Sequence, residues 1–308
     1  MKKILTIALL LIAINAQGQG LPVPANATLT SLFPDENLRR VVAEVLGRDA
    51  SLTGQALSDR LARVEIFNAI SRGIGDATGI EYLIGLTHLN LGFNRLTSLT
   101  NLTNLTNLTN LSIENNLVDY IDISGNVNLI NINMGGNRLA NLCVNKNINL
   151  KIIGVSSNNL ETIDVSNNSN LVSIGALRNS LTSIHFGYNP NLTHIVLGWN
   201  YLAYLDISTL SNLTSLSVNW NSLSSLDVSH NINLAHLDVS SNSRLIHIDI
   251  NNNSELISIN IIGTGVTSLD VSNNAYLMAI GVGGRIVLTE QNIIGFRSNI
   301  RLDGFMGQ

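Results

Sequence analysis

Six aspartates, Asp122, Asp164, Asp206, Asp227, Asp249 and Asp270, recur at one offset of a periodic pattern, with Cys143 and His185 in Asp's place between them. A stacked column of carboxylates could bind cations, because calcium collects several hard oxygen ligands. The competing reading has each Asp bonded locally to the turn that follows it. Two His-x-Asp strings, HLDV at 236–239 and HIDI at 247–250, could in other settings serve a metal or acid–base chemistry. They belong to opposite strand sets of the repeat, so His236 and His247 should project from different faces. The sequence holds no nucleophile elbow, phosphate-binding glycine loop or zinc-protease helix. The expected catalytic, metal and cofactor residues are therefore none, and the chain is not expected to be an enzyme.

A third constellation points to binding. Trp199 and Trp220, the only two tryptophans, lie 21 residues apart, each immediately before an asparagine of the repeat. The register places them on adjacent turns at the same exposed offset. Arg178 fills that offset one turn earlier, and His194 lies on the exposed face of the strand leading to Trp199. Elsewhere the offset carries Asn115, Gly136, Ser157 and Ser241, with Phe93 the bulky exception. An exposed aromatic pair beside an arginine has the composition of a recognition hot spot. The alternative is an aromatic ladder that shields the strand edge, since such pairs also stabilise sheets. Arg178, His194, Trp199 and Trp220 are the expected ligand-binding residues.

The elements that must position these residues are set by the repeat. Leu86, Leu108, Leu129, Leu150, Leu171, Leu192, Leu213, Leu234, Leu256 and Leu277 each open a segment of form LxxLxL, in seven steps of 21 residues and two of 22. The third apolar position is filled without a polar exception, from Leu91, Ile113 and Met134 through to Val282. Period-two alternation makes each segment a short strand with one buried face. An interleaved set opens at Leu96, Val118, Leu139, Leu160, Leu181, Leu202, Leu223, Leu245 and Val266, so each turn holds two half-repeats. Stacked turns should sit about 4.8 Å apart with leucines filling the interior.

An asparagine follows each strand of the first set: Asn94, Asn116, Asn137, Asn158, Asn179, Asn200, Asn221 and Asn242. The interleaved set carries Asn104, Asn126, Asn147, Asn168, Asn189, Asn231, Asn253 and Asn274, broken only by Leu210. Where the chain bends away from the strand, an inward amide can serve backbone donors and acceptors together. The pattern LxxLxLxxNxLxxLDVSxNxx resembles the leucine-rich-repeat family, and its nesting resembles the bacterial twenty-one-residue class sometimes called IRREKO. The match runs from residue 83 to about 284. FPDENLRRVVAEVLG at 33–47, LTGQALSDRL at 52–61 and GIGDATGIEYLIGLTHLNLGFNRLTSL at 73–99 are similar to the amino-terminal cap and first repeat of internalin-like bacterial proteins. Pro34-Asp35 marks a helix start and Gly47 a stop. The resemblance implies that the LDVS aspartates bond the following serine or turn backbone, and that the chain recognises a protein or a glycan.

The fold class expected is thus a β-rich solenoid, a right-handed leucine-rich-repeat superhelix with two short strands or extended segments per turn and a small α-helical amino-terminal cap. The expected layout is a signal peptide at 1–16, a linker and helical cap at 17–82, the solenoid at 83–284 and a carboxy-terminal cover or tail at 285–308. Met-Lys-Lys, an apolar stretch and Ala16 make the leader. No second apolar segment of spanning length follows, so no transmembrane anchor is expected after cleavage. Charged residues make up 12% of the chain, lysines are confined to Lys2, Lys3, Lys146 and Lys151, and the net charge is −4. That excludes the electrostatic footprint of a nucleic-acid partner. A single cysteine excludes an intrachain disulfide. The function expected is an exported binding module, extracellular, at the cell surface or periplasmic, that captures a protein or carbohydrate on its exposed strand face. The alternative is a structural spacer in an envelope or matrix.

Overall fold

The computed structural model describes residues 23–49, 51–99, 102–283, 291 and 293–304. The leader expected at 1–16 lies outside the described residues. The chain separates into two compact units, Met1–Leu139 and Ala140–Gln308. Both are built on a parallel β-solenoid.

In the first unit, helices Leu29–Leu32, Glu36–Val45 and Gly54–Leu61 precede the strands. Asp35 caps the second of them, its carboxylate accepting from the Leu38 amide at 2.9 Å, while its other oxygen accepts from Gly75 at 2.9 Å and Asp76 at 3.2 Å. One side chain thus starts the helix and pins it to the first turn of the solenoid. The helix ends before Gly47, which has a φ of 79°. Phe33, Leu38, Val42, Leu57 and Leu61 are buried together with Phe67 and Ile74 of the first turn, so the open end of the leucine stack is covered. Strands β1 (Ile66–Asn68), β2 (His88–Asn90), β3 (Asn110–Ser112) and β4 (Asn131–Asn133) pair in parallel in that order. The ladder accordingly begins at Ile66, inside the segment assigned to the cap from sequence.

In the second unit the main sheet runs β5 (Ile152–Gly154), β7 (Ser173–Gly175), β9 (His194–Val196), β10 (Ser215–Ser217), β11 (His236–Asp238), β12 (Ser258–Asn260), β14 (Ala279–Val282) and β16 (Arg301–Gly304), all parallel. Each strand pairs with the equivalent three residues of the next turn, for example Ser215 with His194 and Ser217 with Val196. The central residue of each strand points inward, as Ile195, Leu216 and Leu237 do. The interleaved set is less regular. It forms β6 (Thr162–Asp164) paired with β8 (Ser183–His185), and β13 (Leu269–Asp270) paired with β15 (Ile293–Ile294). The other described interleaved segments of this unit form no strand pair. The last strand, β16, falls in the stretch read from sequence as a terminal cover and continues the ladder there.

Candidate binding site

The site starts from the bend after each main strand. In the second unit Ser157, Arg178, Trp199, Trp220 and Ser241 have φ between 55° and 58° or, for Trp220, 52°, and Gly263 at the same offset has φ 70°. In the first unit Ser71, Phe93, Asn115 and Gly136 do likewise. Only glycine enters this left-handed region freely, with asparagine next. Arginine and tryptophan there carry a cost of about 1–2 kcal/mol per residue. The offset that the sequence marks as small and amide-rich is therefore a backbone constraint, which Arg178, Trp199 and Trp220 violate on three successive turns.

The bend is held from both sides. The backbone amides of Arg178, Trp199 and Trp220 donate to Gly198, Asn219 and Ser240 on the next turn, at 3.0, 2.8 and 2.9 Å. Immediately after Trp199, the buried Asn200 donates to the carbonyls of Ala176, Leu197 and Gly198 at 2.9, 2.9 and 3.2 Å, and accepts from the Leu181 amide at 2.9 Å. Asn221 after Trp220 does the same, toward Leu197, Val218 and Asn219, and accepts from Leu202. Before Trp199 stands Gly198, where a Cβ would strike the Asn219 side chain.

The stacked turns carry the aromatic pair into contact. The Trp199 and Trp220 rings lie 4.4 Å apart between centroids, 17° from parallel. The Arg178 guanidinium covers Trp199 at 5.5 Å from the ring centroid, within cation–π range. Trp199 remains 43% exposed and Trp220 50% exposed, so the stack is a surface feature. His194 stands apart from it. It is the exposed first residue of β9, its Nδ1 is 2.8 Å from the Thr193 hydroxyl, and no hydrogen bond or ring stacking joins it to the indoles among the described residues.

The aspartate column is structural in its local bonding. Asp122, Asp164, Asp206, Asp227 and Asp270 accept from the amide of the serine two residues on, and Asp249 from Asn251, at 2.9–3.0 Å. Hydrogen bonds from the serine hydroxyl, then from its amide, hold the carboxyls of Asp164, Asp206, Asp227 and Asp270 below the usual range, and at Asp122 the Ser124 amide contributes most. At the turn where His185 replaces Asp, the equivalent amide, Gly187, donates instead to Asn189 Oδ1 at 2.9 Å. No group of three metal-ligating side chains occurs among the described residues. His236 sits on β11, and His247 lies on an interleaved segment outside any strand.

Parallel turns, inward leucines and an asparagine ladder at each bend define a leucine-rich-repeat solenoid. The comparisons place it more narrowly. InlJ from Listeria monocytogenes, whose structure is described as a functional domain that includes a cysteine ladder, is 30% identical over 85% of this chain, with a TM-score of 0.78. This chain spans 57% of that InlJ chain. The internalin InlF of the same organism matches at 17% identity and a TM-score of 0.59, covering 92% of this chain and 98% of its own. Internalin C2 matches at 20% identity, also with a TM-score of 0.59, over 78% of this chain and 99% of its own. No protein-family model and no curated protein sequence matches the chain. The chain folds as an internalin-like leucine-rich-repeat protein. With a single cysteine it has no cysteine ladder, and its bends are held by asparagine.

Proposed function

We propose that this protein is an exported, non-enzymatic binding module whose recognition surface centres on Arg178, Trp199 and Trp220, with His194 on the adjoining strand face. The observation that carries the reading is the strained stack. Two tryptophans in the left-handed region cost about 2–4 kcal/mol together. Their mutual stacking returns about 0.5–1.5 kcal/mol beyond area burial. The left-handed φ belongs to this offset on every turn, so what singles out these positions is that exposed tryptophans fill it where serine, asparagine or glycine stands on most other turns. Solenoids of the same fold include the LRIM1/APL1C complex and the Toll–Spätzle complex, which supports a binding role for the scaffold. A protein or a carbohydrate is the partner class, and the site of action is extracellular, at the cell surface or periplasmic.

The test is a protein and glycan array probed with the mature protein, followed by substitution. Trp199→Ala and Trp220→Ala should each weaken binding of the captured ligand by more than about 1 kcal/mol with the fold intact. Unchanged affinity in the double variant moves the site elsewhere, and an array on which nothing binds favours a structural spacer. Export is checked separately by mass spectrometry of the natively expressed protein, which should begin near Gln17. Soluble cytoplasmic material retaining Met1 would sink that part.

A further inference from the structure

The Arg178–Trp199–Trp220 stack has two ends, and they differ. The outer face of Trp199 is covered by Arg178. Beyond Trp220 the same offset on the next two turns holds Ser241 and Gly263. The column of large side chains therefore stops, while the backbone rungs continue. Rungs in a parallel sheet repeat every 4.7–4.9 Å, and Trp199 and Trp220 stack at 4.4 Å because their backbones are one rung apart. A flat ring lying over Ser241, in that residue's own rung, would meet the indole of Trp220 at one rung spacing, inside the range for ring stacking.

A second observation lies on the same turns. Across the exposed face of β10, β11, β12 and β14 runs a groove of about 670 Å³. Its lining is mixed: apolar surface that includes Ile262 and Leu302 makes up part of it, and Ser217, His236, Asp238, Asn260 and Asp303 supply polar groups. Much of their hydrogen-bonding capacity is open to a ligand. Asp238 accepts one backbone bond, from Ser240, on one oxygen. His236 Nδ1 lies 2.9 Å from the Ser258 hydroxyl, and no protein hydrogen bond is found at its Nε2 among the described residues. Asn260 accepts from Ile262 at 3.2 Å on its oxygen. Gly281 on the neighbouring strand keeps space beside Asn260, where a Cβ would collide with the amide. The groove and the bare rung share one turn, since Asp238 and Ser241 are three residues apart, a reach of at most about 10 Å.

An aromatic platform beside a trough of carboxylate, amide, imidazole and hydroxyl groups matches one ligand chemistry. A pyranose ring presents an apolar C–H face for stacking and an edge of hydroxyls that both donate and accept. The mixed lining suits a ligand that is apolar on one face and hydroxylated at its edge, and an anionic ligand would meet the carboxylates of Asp238 and Asp303. We propose that this groove binds a neutral oligosaccharide, with one sugar ring stacked on the free face of Trp220 over Ser241 and the next residues hydrogen-bonded by Asp238, Asn260 and His236. This rests on reading the tryptophan stack as a recognition surface and assigns it a ligand class and a second half.

The chain's two tryptophans are both in the stack, so their fluorescence reports the site directly. The full mature protein would be titrated with cellohexaose, chitohexaose, laminarihexaose and xylohexaose, with calorimetry for affinity. At least one should bind and perturb the tryptophan emission. Asp238→Ala, Asn260→Ala and Trp220→Ala should each weaken it by about tenfold. Ser241→Trp, which continues the indole column into the bare rung, should block the sugar while the thermal melt stays cooperative. No binding by any of the four, or binding indifferent to Asp238→Ala and Ser241→Trp, overturns the proposal. A protein ligand that depends on Trp199 and Trp220 but not on Asp238 or Asn260 also overturns it, while leaving the broader reading of the stack in place.

Discussion

Trp199 and Asn200 are chain neighbours with opposite relations to the fold, and the contrast can be measured. Asn200 is buried and makes four hydrogen bonds that hold the bend. Asn200→Ala strands those backbone groups and should cost about 1–3 kcal/mol. Trp199 carries a φ of 56° that its side chain disfavours. Both Trp199→Ala and Trp199→Gly delete the indole, but only glycine also relieves the left-handed strain. The glycine variant should therefore be more stable than the alanine variant by about 1 kcal/mol, reversing glycine's ordinary penalty. Chemical melts of the three variants decide it. An alanine variant equal to or above the glycine variant would mean the bend relaxes and stores no strain. The ladder asparagines were legible in the sequence because their period is strict. The strain was less so: Gly136, Asn115 and Gly263 hinted at positive φ, yet a column that also holds phenylalanine, arginine and tryptophan reads as ordinary surface until the torsions are known.

At the scale of the half-repeat, six interleaved segments end in a turn closed by their own aspartate, at Asp122, Asp164, Asp206, Asp227, Asp249 and Asp270. The carboxyls of Asp122, Asp164, Asp206, Asp227 and Asp270 titrate below their ordinary value because the following serine bonds the charged form. A group whose folded pKa is depressed stabilises the fold above its unfolded pKa and ceases to as pH falls through the folded one. Turn stability should thus be complete above about pH 4, near the unfolded aspartate value, and fall progressively below it. Asp206 and Asp227 also repel each other across adjacent turns. Replacing both by Asn keeps an acceptor at each turn while removing the charge, so the double variant should lose less of its thermal midpoint between pH 5 and pH 2.5 than the parent. Identical acid profiles would show that the turns do not sense these charges. The sequence displayed both half-repeats with equal clarity, because apolar periodicity reports burial and is the same in each. It could not say that the first set pairs throughout while the interleaved set pairs only at β6–β8 and β13–β15 in the second unit, since pairing depends on backbone geometry that leucine spacing does not encode.

Over the molecule as a whole, stability rests on apolar stacking and amide ladders rather than on charge. Charged residues are 12% of the chain, and the ion pairs among the described residues, Arg40–Glu36, Arg48–Glu44, Arg72–Glu44 and Arg301–Asp303, are all solvent-accessible. Such pairs contribute about 0–1 kcal/mol each and are screened by salt. The buried asparagine bonds and leucine contacts are neutral and feel no such screening. In a repeat array, stability is approximately a sum of unit and nearest-neighbour terms, so a contribution repeated on every turn dominates one confined to a few surface pairs. The denaturation midpoint should consequently stay nearly constant between 50 mM and 500 mM sodium chloride, with a change of less than about 1 kcal/mol. Affinity for an uncharged ligand held by indole stacking and hydrogen bonds to its hydroxyls should be equally indifferent, whereas a partner steered by charge would lose association rate steeply with salt. Measuring the melt and the binding of any captured ligand over the same salt series separates the two cases. A steep salt dependence of binding, with an unchanged melt, would mean that ion pairs to exposed charged residues, Arg178 among them, carry the contact in place of indole stacking.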